Sequence, residues 1–210
     1  RRSSDLLRQV HLDFHTSPAI PGVGRAFDGR AFVEQLRRAR VQSVTCFSRC
    51  HHGLIYHDTE RFPELRHPGL CCDLLAEQLA ACHEAGIRAP IYISVGWDHA
   101  QATAHPGWLE RRPDGAPVGP GPLEPGFTHK LCLASPHAEF VLAQTEEVLQ
   151  RFPAADGLFF DIVLQGPCAC ARCVAAMDAA GLDPIRREHR LRHAAGVLDR
   201  FRRRLGELVR

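Results

Sequence analysis

The sequence has little of what would point to a membrane, a nucleic acid or an extracellular disulfide framework. No run of about eighteen apolar residues occurs, so nothing reads as a membrane-spanning helix, and a hydrophobic content of 45% is ordinary for a globular protein. The formal net charge is only +2, from 26 Lys and Arg against 24 Asp and Glu, which leaves no electrostatic case for a nucleic-acid partner. Arg202-Arg203-Arg204 reads as a solvated helix face. Nine cysteines is an odd number, unevenly spaced in a 210-residue chain too large to need disulfide staples. Reduced thiols, a metal site and a soluble, cytoplasmic protein without a membrane partner are expected. The chain begins with Arg1 and not Met, so upstream residues, a signal peptide included, are left open.

Strand and helix periods alternate along the chain. Val10 to Phe14 alternates as a short strand would, and Asp28 reads as the N-cap of a helix running to about Arg40. Val41 to Phe47 is a second strand, and Asp73 caps a helix carrying Leu74, Leu75, Leu79 and Cys82 that stops at Gly86. Ile87 to Ser94 is a third strand. The Gly- and Pro-rich stretch from Gly96 to Thr128 reads as a functional loop, followed by a short segment from Leu131 to Leu133. Ser135-Pro136 opens a helix with Phe140, Val141, Val148 and Leu149 inward, and Gly157 to Val163 is a fourth, largely apolar strand. A cysteine cluster, a helix to about Ala180, a break at Gly181 and Pro184, and an arginine-rich helix follow.

Repeated strand-helix units imply an α/β fold with a parallel sheet and right-handed crossovers, either doubly wound or a (β/α)8 TIM barrel. In both, ligands bind at the carboxyl ends of the strands. Here those ends carry Asp13 and His15, then His51 and His52, then Trp97 and Asp98, then Asp161. Four units are visible, whereas a barrel needs about eight and roughly 250 residues. Residues 1–210 are therefore expected to be one partial domain, the N-terminal half or so of a longer barrel. Standing alone, its outer strands would be unpaired and its inner face apolar, so a homo-oligomer or incomplete folding is expected.

Asp161 ends an apolar strand, where a carboxylate is costly to bury unless it is paired or works on a ligand; a helix cap is the competing reading. Trp97 beside Asp98 suits the wall of a sugar subsite, because sugar C–H faces stack on aromatic rings, and equally suits a side chain that pins the loop. Cys168, Cys170 and Cys173 place three thiols within six residues, enough to wrap one soft metal ion. A fourth thiol from elsewhere, with Cys132 the earlier candidate, would close a tetrahedron. Residues 168–182 hold this knuckle and the helix after it. Cys46, Cys71, Cys72 and Cys82 read as core or packing residues.

Three stretches carry a family resemblance. Leu12-Asp13-Phe14-His15-Thr16-Ser17, Cys50-His51-His52-Gly53 and Ala155-Asp156-Gly157-Leu158-Phe159-Phe160-Asp161-Ile162 together resemble the hypothetical glycosyl hydrolase 6 family, a group of expected (β/α)8 barrels, over about Val10 to Leu182. His51-His52-Gly53 is similar to the His-His-Asp-Gly-Phe of α-L-fucosidases, without the Asp, and Leu158 to Asp161 is similar to the strand that holds their nucleophile. The resemblance implies hydrolysis of O-glycosidic bonds in fucosyl or galactosyl glycosides. It implies that Asp161 is the nucleophile, that His51 and His52 contact the sugar, with Asp13 and His15 beside them, and that the acid/base lies outside this chain. Cys132-Leu133-Ala134-Ser135-Pro136 followed by Cys168 to Cys173 resembles the zinc-containing β-galactosidases. That implies a structural Zn2+ on Cys132, Cys168, Cys170 and Cys173, four thiolates that leave the ion no open position for water. The acid of that family would fall near Ile162 and Val163, so it is absent here.

Two other readings compete. His11, Asp13 and His15 alternate on one expected strand face and could ligate the metal of an amidohydrolase-like enzyme. The missing acid/base also suits a non-catalytic carbohydrate-binding fragment.

Overall fold

A computed structural model describes residues 8–119 and 129–210. The end of the predicted loop, 120–128, lies outside the described residues. In chain order the elements are β1 (Gln9–His11), α1 (Gly29–Arg38), β2 (Ser43–Arg49), α2 (Leu74–Glu84), β3 (Ile91–Ser94), α3 (His99–Ala104), α4 (His137–Arg151), β4 (Leu158–Asp161), α5 (Ala171–Ala179) and α6 (Arg187–Leu208). The chain divides into two compact units: Arg1–Cys50, Leu54–Ile93 and Glu147–Phe160 form the first; His51–Gly53, Ser94–Glu146 and Asp161–Arg210 form the second.

The first unit is built on a sheet with strand order β1-β2-β3-β4. β1 and β2 are parallel, with Gln9 opposite Ser43 and His11 opposite Thr45, and β2 and β3 are parallel, with Cys46 opposite Ile91. A doubly wound sheet would reverse its strand order; four parallel strands in sequence order are those of half a (β/α)8 barrel. β2 is buried along its whole length, the environment that a parallel strand covered on both faces requires. Val44, Cys46, Ile91 and Ile93 pack with Val33 and Leu36 of α1 and Leu75, Leu79 and Cys82 of α2.

Alternate residues make a second layer. The rings of Phe47 and Tyr92 stack at 3.9 Å, and His11 meets each edge-on at 5.5 Å. Phe159 lies 5.3 Å from His11 and 5.8 Å from Tyr92, so every strand contributes one ring to this face. Such rings prefer stacked or edge-to-face contacts, which here tie four separate strands together.

Both expected N-caps in this unit are present. Asp28 accepts from the Ala31 N–H at 2.9 Å and Asp73 from the Ala76 N–H at 3.0 Å. Strand limits differ from the expected ones. β1 stops at His11, so Asp13 and His15 lie beyond it. β3 begins after Pro90, which has no N–H to give a ladder, and upstream there is only a single bridge between Ser43 and Arg88. β4 ends at Asp161 because Ile162 turns to a left-handed φ of 54°. Cys71 is exposed and not packed.

His57 is fully buried beside β2, its Nε2 3.2 Å from Ser48 Oγ, and burial pushes its imidazolium down to about 4. The unfolded chain takes up this proton near the ordinary value of 6.5, and the folded protein does not. Stability is therefore expected to fall as pH drops from about 6.5 to about 4, by up to about 3 kcal/mol. Urea unfolding at several pH values checks this: His57→Asn should flatten that slope, and an unchanged slope would assign the proton uptake to another group.

In the second unit, α3 was not expected; it rises from within the long loop, capped by Asp98, which accepts from the Gln101 N–H at 2.8 Å. α6 buries Ala194, Val197, Phe201 and Leu205, while Arg202, Arg203 and Arg204 are exposed and Arg204 pairs with Glu139. Among the described residues no helix is long and apolar enough to cross a membrane.

Candidate functional site

In the second unit, Asp161 and His51 come together. Asp161 is half-buried, its Oδ1 accepts from the Ile162 N–H at 2.9 Å, and its Oδ2 lies 3.5 Å from His51 Nε2. His51 is buried, with Nδ1 2.6 Å from Ser94 Oγ and its ring edge-on to Trp97 at 5.3 Å. One carboxylate oxygen is thus tied to its own backbone, and the other faces a histidine.

The turn that carries His51 and His52 rests on the start of α3. His99 N–H donates to the His51 carbonyl at 2.9 Å and Ala100 N–H to the His52 carbonyl at 3.1 Å. Gly53 has φ of 82°, and a Cβ there would stand 2.1 Å from Asp98 Oδ1, so the turn requires glycine. Asp98 is fully buried as the α3 cap, and His52 is buried in the turn above it.

Backbone strain sits next to Asp161. A β-branched residue at left-handed φ costs about 1–2 kcal/mol and collects at functional positions. Ile162 is held there by close packing on Gly96, where a Cβ would stand 2.5 Å from the Ile162 carbonyl oxygen and 2.6 Å from its Cγ2. Gly96→Ala is accordingly expected to destabilise the fold by about 1–3 kcal/mol, the usual cost of overpacking. An unchanged urea midpoint would contradict that packing.

Asp13 and His15, in the first unit, pair with each other at 2.9 Å, and His15 lies edge-on to Phe47 at 5.3 Å. The metal triplet expected of His11, Asp13 and His15 is not formed. β1 ends at His11, whose ring enters the aromatic layer, and among the described residues the three do not come close enough to share an ion. The amidohydrolase-like reading loses its ligands.

The four cysteines do converge. Cys132, Cys168, Cys170 and Cys173 are buried, and their sulfurs all lie within 4.8 Å of one another. Cys132 Sγ is 3.6 Å from Cys173 Sγ and 3.9 Å from Cys170 Sγ. Four sulfurs each about 2.3 Å from one zinc ion stand about 3.8 Å apart at the corners of a tetrahedron, whereas a disulfide needs about 2.05 Å. The donor set and spacing fit zinc. N–H groups are also aimed at the sulfurs: Arg111 and Cys170 donate to Cys168 Sγ at 3.4 Å and 3.3 Å, and Gln165 Nε2 to Cys132 Sγ at 3.6 Å. Hydrogen bonding from Cys132 holds the thiols of Cys168 and Cys170 below their ordinary range and leaves that of Cys132 above it.

Sequence reading missed Glu110, a lone acid in a loop without a motif. It is 1% exposed and accepts from the Gly166 N–H at 2.7 Å; burial raises its pKa, and Lys130 at 3.4 Å opposes that. Leu133 N–H donates to Gln165 Oε1 at 2.7 Å and Ala169 N–H to the Arg111 carbonyl at 2.7 Å. The segment after Asp161 is therefore stitched to residues 110–111 and 132–133 at both sides of the cysteine cluster.

Parallel strands in sequence order define the class, a partial β/α barrel, and Asp161, the last residue of its fourth strand, faces a histidine. The model of the hypothetical glycosyl hydrolase 6 family matches residues 28–162, and the chain belongs to that family. Alpha-L-fucosidase isoenzyme 2 from Paenibacillus thiaminolyticus is 38% identical over 96% of this chain, with a TM-score of 0.90, and the chain spans 30% of that fucosidase's length. A hypothetical protein from Ruminiclostridium thermocellum ATCC 27405 is 10% identical, with a TM-score of 0.53 over 75% of this chain and 76% of that one, a likeness of fold alone. No curated protein sequence matches the chain.

Proposed function

We propose that the chain is the first half of the catalytic barrel of a glycoside hydrolase acting on fucosyl or galactosyl glycosides, with Asp161 as nucleophile. Chief support comes from the Asp161 carboxylate, tied at Oδ1 and facing His51 Nε2 at 3.5 Å, in a member of a glycosyl hydrolase family. The 38% identity to an alpha-L-fucosidase favours the fucosyl end of that range. His51 and His52 contact the sugar, and Trp97 walls the subsite. Asp98 acts from beneath, by capping the helix that carries the His51–His52 turn. Retention would need a second carboxyl about 5–5.5 Å from Asp161, from residues outside this chain.

Cys132, Cys168, Cys170 and Cys173 hold a structural zinc ion that steadies the segment after Asp161. Nine cysteines with no disulfide among the described residues support a reducing compartment, the cytoplasm. The test of function is hydrolysis of nitrophenyl α-L-fucoside and β-D-galactoside by the full-length protein, with and without Asp161→Asn. Sugar binding with no turnover in the wild type would replace this reading with the carbohydrate-binding one.

The aromatic face of the first unit leaves Phe159 42% exposed, which supports self-association of the chain when alone. Light scattering at rising concentration is expected to give a dimer or larger species that Phe159→Ser weakens. A monomer throughout would overturn this.

A further inference from the structure

We propose that Ser94 is a positioning residue that fixes the His51 proton on Nδ1, leaving Nε2 as the ring nitrogen that exchanges a proton at Asp161. Two contacts meet at the Ser94 hydroxyl: Oγ lies 2.6 Å from the Trp97 carbonyl oxygen and 2.6 Å from His51 Nδ1. Heavy atoms this close need a hydrogen between them. A serine hydroxyl has one hydrogen, and a carbonyl oxygen can only accept, so the Ser94 hydrogen points to Trp97. The hydrogen in the second contact must then come from His51 Nδ1, with Ser94 Oγ accepting.

This assignment decides what Asp161 meets. Neutral His51 presents the Nε2 lone pair on the side of Oδ2, at 3.5 Å, where it can accept from a hydroxyl beside the carboxylate. Charged His51 presents Nε2–H and becomes an ion-pair partner of the carboxylate. In either state the variable proton is at Nε2, because the other ring position is held by the last residue of β3 and the turn after it. The catalytic meaning of this arrangement rests on the reading of Asp161 as nucleophile; the tautomer itself does not.

The test is long-range 1H–15N correlation spectroscopy on the chain labelled with 15N-histidine, above the histidine titration range so that the rings are neutral, with His51 assigned from its missing signals in His51→Gln. The wild type is expected to show His51 protonated at Nδ1. Ser94→Ala should move the proton to Nε2, where the Asp161 carboxylate is then the better acceptor, and Ser94→Thr should restore the wild-type pattern. A wild-type ring with bare Nδ1 overturns the proposal, as does a folded Ser94→Ala that keeps Nδ1–H. Should Ser94→Ala fail to fold, the wild-type spectrum still decides. No substrate is involved, so failure here leaves the glycosidase reading standing, and inactivity of the full-length enzyme leaves this one standing.

Discussion

Asp161→Asn in the full-length protein is expected to lower kcat by about 10^3-fold or more while thermal unfolding stays close to wild type. Removing a nucleophile that forms a covalent intermediate costs about 10^3 to 10^6 in turnover in well-studied hydrolases, and about 10^3-fold is about 4 kcal/mol of transition-state stabilisation. The fold should tolerate the change for a local reason. Asn keeps the Oδ1 acceptor for the Ile162 N–H, and its amide can donate to His51 Nε2, so neither existing partner is orphaned. Loss of activity with retained stability thus separates chemistry from structure. Turnover within tenfold of wild type would make Asp161 a backbone acceptor at a strand end and nothing more.

How far the sequence revealed this site follows the range of the forces involved. Asp28 and Asp73 were legible as caps because capping is decided within three residues, and both caps are present. Asp161 was legible as a strand end because an apolar run closing on an acid marks where a strand stops. The extent of β1 was not: alternation from Val10 to Phe14 suits a strand, but pairing with β2 ends at His11 opposite Thr45. α3 was missed because His-Ala-Gln-Ala-Thr-Ala has no apolar period, and its cap, Asp98, stands beside Trp97 at a strand end where ligand contacts are expected. Ser94 was invisible because its direct contact with His51 joins residues far apart in the chain, and its direction is set by the Trp97 carbonyl, which no residue pattern records. The cysteines sit between these cases: the knuckle declares itself by spacing, whereas Cys132, beyond a helix and a strand, is one candidate among the remaining cysteines until resemblance singles it out.

Purified without chelator, the chain is expected to carry one zinc ion, and Cys173→Ala is expected to carry none. Zinc at about a thousand times its dissociation constant would stabilise the folded chain by about 4 kcal/mol, and about 2–4 °C of Tm per kcal/mol in a domain of this size makes a fall of roughly 10 °C on stripping. The loss should concentrate in the segment after β4. Gln165 bonds Leu133 through Oε1 and Cys132 Sγ through Nε2, so a loosened cluster frees a residue four positions beyond Asp161. With all four corners taken by thiolates a bound ion would have no position for water, so it would supply geometry and no reacting group. Activity measured well below the lowered Tm should therefore survive chelation far better than it survives Asp161→Asn. Titration of the native protein with a thiol reagent gives an independent reading, since four bound sulfurs should stay protected until a chelator is added. Absent zinc, with all four thiols reacting no faster after chelator, would reduce the cluster to buried cysteines packed on Met177.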